Sequence, residues 1–139
     1  MKRFAILILA LAAFSCSAPK TTVSKGLYEV LTRQQEGGAT IRFYEILTEE
    51  KEIAMLRSDA SLAQKIRPED ISRANFVILN LGEKPTAGYT IEVTGAQETP
   101  DSVILTVKEQ APTGMAAQVI SYPYAVVRVN SKKKIEIRD

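Results

Sequence analysis

The sequence predicts an α+β domain in which a mainly antiparallel β sheet, curled as a barrel or sandwich, dominates and one helix packs across it. Three observations predict this. Beyond residue 74 the chain is a succession of short segments that either alternate apolar and polar residues or run unbroken through branched ones. A single segment, 49–57, opens on glutamates and spaces its apolar residues as a helix does. The 139-residue chain has one cysteine, so no disulfide can form within it, and the fold must rest on packing and backbone pairing.

In chain order, 27–32 mixes branched and aromatic residues, Glu36-Gly37-Gly38 breaks the chain, and 40–47 is again rich in such residues. This predicts a hairpin with a glycine turn. Thr48 is placed to cap a helix over 49–57, with Glu49 and Glu50 near its positive end and Leu47, Ile53 and Leu56 as its inward stripe. Ser58-Asp59 ends or bends it, and a second short turn covers 60–65. Pro68 holds its predecessor away from helical angles, so 68–72 reads as a connection.

Phe76-Val77-Ile78-Leu79 is apolar on both faces, as a central strand covered on each side requires. Ile91 and Val93 alternate with polar neighbours, as do Val103, Leu105 and Val107, giving strands with one wet face. Two further strands, 125–129 and 135–137, are separated by Asn130-Ser131-Lys132-Lys133 as a turn, which predicts a terminal hairpin.

The N-terminus decides the compartment. Met1-Lys2-Arg3 is positive, residues 4–14 are uninterruptedly apolar, and Ser15 precedes Cys16. A spanning helix needs about 20 apolar residues, so this run is a signal peptide and not an anchor. It resembles the lipobox of bacterial lipoproteins. That resemblance implies that Cys16 is diacylated on sulfur, becomes the new N-terminus and is acylated on its amine; Ser17 after it implies the outer membrane. Simple secretion, with Cys16 as a leftover thiol, is the alternative, since Ala13 and Phe14 depart from the usual lipobox residues. The expected organisation is a signal peptide at 1–16, a polar tether at 17–25 that contains Pro19, and one β-rich domain at 26–139.

Lys2 and Arg3 account for the formal charge of +2, leaving 16 basic against 16 acidic residues. A balanced surface argues against nucleic acid as a partner. The chain has no histidine and no thiol once Cys16 is acylated, which removes most catalytic chemistry and predicts that the protein is not an enzyme. Ser131 and Lys134 imitate a Ser-x-x-Lys pair, but in a polar turn. Glu49, Glu50 and Glu52 read as helix-dipole partners. No cluster has the ligand spacing of a zinc or calcium site, so no metal and no cofactor are expected.

Two connections carry the least ordinary chemistry. They are Gly82-Glu83-Lys84-Pro85-Thr86-Ala87-Gly88-Tyr89, and Pro112-Thr113-Gly114-Met115 leading to Tyr122-Pro123-Tyr124. If the strands from residue 75 onward alternate in direction, the loops 82–88 and 110–121 share one rim. Pro85, Thr86, Ala87, Gly88 and Tyr89 serve either as a partner-binding edge or simply as a turn, in which Pro85 fixes φ, Gly88 takes positive φ and Tyr89 starts a strand with its ring on the core. The second loop is longer than most connections, which favours a binding role for Pro112, Thr113, Gly114 and Met115. Met115 suits a partner surface if exposed and the core if folded back. Tyr122 and Tyr124 are either a core pair or rim anchors.

These residues also carry a resemblance. "LGEKPTAGYTIEV" followed by "APTGMAAQVISYPYAVVRV" resembles the PrcB C-terminal domain family, whose members share a Gly-x-x-Pro-Thr-Gly-Gly-Tyr turn and a later Pro-x-Gly loop leading to Tyr-Pro-Tyr. Ala87 stands where the first glycine of the pair is commoner. The family is named for a lipoprotein subunit of a surface protease complex. The resemblance implies a lipid-anchored envelope domain that binds a protein partner, a secreted or surface protease or another envelope protein, with no catalysis of its own. The segment from Pro85 to Tyr89 is also similar to the loop by which chagasin-type inhibitors enter cysteine proteases, which implies the alternative of a loop-wedge inhibitor. A purely structural envelope role is the remaining alternative.

Overall fold

The computed structural model describes residues 26–139; the expected signal peptide at 1–16, with Cys16, and the expected tether at 17–25 lie outside the described residues. In chain order the elements are β1 (Tyr28–Gln34), β2 (Phe43–Leu47), α1 (Glu50–Leu56), α2 (Asp70–Arg73), β3 (Asn75–Asn80), β4 (Thr90–Glu98), β5 (Ser102–Gln110), β6 (Tyr124–Val129) and β7 (Lys134–Arg138). The strands form two sheets, one of four in the order β1-β6-β3-β2 and one of three in the order β4-β5-β7. The fold is therefore mostly β with few helical residues, and no closed barrel forms among the described residues.

Strand position follows hydrophobicity. β3 and β6 are buried along almost their whole length and take the middle of the four-stranded sheet. Val77, Leu79, Ala125, Val127 and Val129 from that sheet share one core cluster with Ile91, Val103, Leu105, Val107 and Ile135 from the other. The opposite residues Phe76 and Val126 belong to a second cluster with Leu47, Ile53, Leu62 and Ile66, so the helical stretch covers the other face.

Two expected hairpins are corrected. β1 pairs with β6 and β2 with β3, so the strands on either side of Gly37-Gly38 stand at opposite edges of one sheet. β1 and β2 each have a wet face, and the doubly apolar β3 and β6 displace them from each other. The terminal hairpin does not form either: β7 pairs in parallel with β5. Residues 130–133 cross between sheets instead. Lys132 Nζ donates to the carbonyls of Thr48 and Ala74 at one sheet, at 2.8 and 3.2 Å, and Lys133 Nζ donates to the Thr99 carbonyl at the other, at 2.9 Å.

α1 begins one residue later than Thr48 capping would place it. Glu49 is the cap, and its backbone N–H donates to the Glu52 carboxylate at 3.3 Å, the reciprocal half of a capping box, with Glu52 at the position where that box takes a glutamate. Ile53 and Leu47 are buried as the helical stripe requires. Residues 68–72, read as a connection, overlap the short helix α2, whose Asp70 is held by Arg67 at 3.2 Å and Arg128 at 3.3 Å.

Candidate binding rim

The loops 82–89 and 111–122 lie side by side, tied backbone to backbone. Lys84 N–H donates to the Ser121 carbonyl at 2.9 Å, Ser121 N–H returns to the Lys84 carbonyl at 3.0 Å, and Ala87 N–H reaches the Ala117 carbonyl at 3.1 Å. Ser121 is fully buried, and its hydroxyl donates to the Thr86 carbonyl at 2.8 Å. The alternation of strand direction that predicts a shared rim survives the division into two sheets, because β3 runs antiparallel to β6 and β4 antiparallel to β5.

Of the Ala87-Gly88 pair it is Gly88 that takes a positive φ, 94°, as Gly82 does at 77° where the loop begins, and a Cβ on Gly88 would stand 2.8 Å from Pro112 Cβ. Glycine is needed both for conformation and for contact between the loops. Among the described residues no non-glycine residue has positive φ, so Ala87 sits without strain in place of the commoner glycine. Tyr89 is half-buried against the inter-sheet core, and the Lys84 ammonium lies 5.1 Å from its ring centre. Lys84 also pairs with Glu109 at 2.6 Å, and Glu109 with Arg42 at 2.6 Å. Pro85 is exposed and Thr86 half-buried.

The second loop is tied through its backbone to the first at Ala117 and Ser121. Pro112 rests on Gly88, whereas Thr113, Gly114 and Met115 stand in solvent, Met115 fully so; Val119 and Ile120 are each more than half exposed. Tyr122 and Tyr124 have different surroundings. Tyr122 stays at the rim, where its hydroxyl donates to the Glu83 carboxylate at 3.1 Å; that bond and the adjacent negative charge raise the phenol above its ordinary pKa. Tyr124 packs against the cluster beneath α1, and burial, with Asp59 nearby, raises its phenol. The rim is thus built of Pro85, Thr86, Ala87, Gly88, Tyr89, Pro112, Thr113, Gly114, Met115 and Tyr122, with Tyr124 placed on the outer face of the sheet.

Three residues that sequence reasoning passed over hold this rim from the β1–β2 connection and β3. The Gln35 amide accepts from Gly88 N–H at 2.8 Å and donates to the Tyr89 carbonyl at 2.8 Å, while its own carbonyl accepts from Tyr122 N–H at 3.0 Å. Buried Asn80 accepts from Ala39 N–H at 3.0 Å and donates to the carbonyls of Ala39 and Ile41, at 3.0 and 2.7 Å. Gly38 N–H donates to the Tyr122 carbonyl at 3.0 Å. Asn80 could have been suspected as a polar residue inside an apolar run; Gln35 leaves no such signal. Away from the rim, Ser131 accepts from Lys133 N–H at 3.1 Å, and Lys134 is exposed, its nearest carboxylate partner, Glu136, 4.0 Å away.

Residues 75–130, the stretch that contains both loops, match the family model described as PrcB C-terminal. An uncharacterized protein of Methanocaldococcus jannaschii is 35% identical over 64 residues, which cover 46% of this chain and 40% of that relative's length. No solved structure matches the chain significantly.

Proposed function

Taking the PrcB C-terminal segment at 75–130 as premise, we propose that this domain is a non-catalytic binding module that holds a protein partner against the rim of the two loops. The observation that carries the reading is the contrast within the rim. A turn fixed by Gln35 and Ser121 stands beside an arm that offers Met115, Val119 and Ile120 to solvent. Large apolar side chains grouped on a positioned loop suit the centre of a protein interface, and methionine adapts its shape to a partner. The absence of histidine from the chain supports a role without catalysis.

The partner is proposed to be an envelope protein, foremost a secreted or surface protease, with the domain tethered through lipid on Cys16 to the membrane, the outer one by the rule for Ser17. The test is capture of a subtilisin-like protease from the same envelope by the intact lipoprotein. Wild type should retain the protease and lengthen its active half-life. Replacing Met115 and Ile120 with aspartate should abolish retention while the melting temperature stays put. Retention by that variant equal to wild type would refute the rim. A fall in protease activity on binding, instead of a longer half-life, would select the loop-wedge inhibitor.

A further inference from the structure

Four strands lie at sheet edges, and three of them carry a feature that discourages further pairing. β1 is bulged between Val30 and Thr32, and β4 between Val93 and Gly95. β7 is surrounded by cations, with Lys132 and Lys133 before it and Lys134 and Arg138 within it. β2 has none of these. Its five residues, Phe-Tyr-Glu-Ile-Leu, pair with β3 in unbroken register and include no proline, no lysine and no bulge, and its outer edge is unpaired among the described residues.

A groove runs beside that edge. At the edge itself a cavity of about 340 Å³ opens between β2 and α1, lined by Glu45, Leu47, Glu52, Met55 and Leu56; it shares Met55 and Leu56 with a second of about 360 Å³ that lies further in over the sheet face, where Phe43, Tyr124 and Val126 line it. Phe43 and Met55 remain 39% and 67% exposed, although Phe43 shares its face of β2 with Leu47, which is buried. The charges lining the groove are of one sign: Glu45 and Glu52 in the first part, Asp59 in the second, with no lysine or arginine lining either.

We propose that β2 accepts an extended segment of a partner protein as an added strand, with apolar side chains at alternate positions entering the groove and basic residues at its flanks facing Glu45, Glu52 and Asp59. A free strand edge supplies the backbone pairing, the adjoining groove reads every second side chain, and acidic walls select a cationic segment. This surface is separate from Met115, Val119 and Ile120, and does not depend on the rim being a binding site.

The test titrates the full chain with three labelled peptides: alternating valine and threonine with lysines at both ends, the same with glutamates at both ends, and the lysine-ended peptide with a central proline. The lysine-ended peptide should bind about tenfold tighter than the glutamate-ended one, the proline peptide should not bind, and amide shifts should centre on residues 43–47 and Met55. Glu45→Lys with Glu52→Gln, both at exposed positions and the glutamine still able to accept from the Glu49 N–H, should abolish the preference. Equal binding of all three peptides, an unchanged preference in that variant, or shifts confined to 113–120 would each overturn the proposal. Concentration-dependent pairing of the protein through β2, competing with every peptide, would replace the partner strand with a second copy of this chain.

Discussion

The two loops of the rim differ in how they are held. Loop 82–89 is fixed from three directions, by the Gln35 amide beneath Gly88 and Tyr89, by the buried Ser121 hydroxyl on Thr86, and by the Lys84–Glu109 ion pair. Loop 111–121 has backbone ties at Ala117 and Ser121, while Met115 and Ile120 stand in water. The difference separates two tasks that one motif-rich rim could have combined. The first loop stores order, and the second spends little stability on the residues it displays.

If that division holds, substitutions in the supporting shell should cost stability and those in the displayed arm should not. Gly38→Ala strikes the support hardest. Its Cβ would fall 2.4 Å from Asn80 Oδ1 and 2.5 Å from the Tyr122 carbonyl oxygen, both fixed by hydrogen bonds. Chemical denaturation should show a loss of about 3 kcal/mol. Gln35→Ala and Ser121→Ala each leave rim backbone groups without partners, and each should lose about 1–2 kcal/mol, with faster amide exchange at Gly88 in the first case.

Asp70 sharpens the comparison from outside the rim. Burial alone would raise its pKa, but the Arg67 backbone N–H, the Arg67 guanidinium and Arg128 together hold it below the ordinary carboxylate value. Its folded pKa therefore lies below the unfolded value of about 3.9. Its stabilising contribution is fully present above that pH and is lost as pH falls through the folded pKa. Asp70→Asn should flatten the acid limb of a stability–pH curve without altering partner retention; an unchanged limb would contradict this assignment. At the small end, Met115→Asp with Ile120→Asp should leave stability within about 0.5 kcal/mol of wild type.

What the sequence made legible follows the same division. Gly88 and Tyr89 declared a turn, and the parity argument placed the two loops on one rim, where backbone hydrogen bonds join them. Pairing was not legible. Gly37-Gly38 has the local chemistry of a hairpin turn, yet β1 and β2 are parted by β3 and β6, whose two apolar faces claim the sheet centre. The same competition places Ile135 beside Val103 in the other sheet instead of in a terminal hairpin. Gln35 was invisible because its role depends on β1 lying next to β6, a long-range pairing with no local mark. The β2 edge was equally hidden, since an edge exists only once the strand order is known.

The most direct test is hydrogen exchange of the full chain with and without the protease partner proposed for it. The division of tasks predicts that amides of Lys84, Ala87 and Ser121 are protected in the free protein and change little. Those at 113–120 should exchange freely until the protease binds and then slow sharply. Protection that appears elsewhere on binding, with 113–120 still exchanging freely, would contradict it.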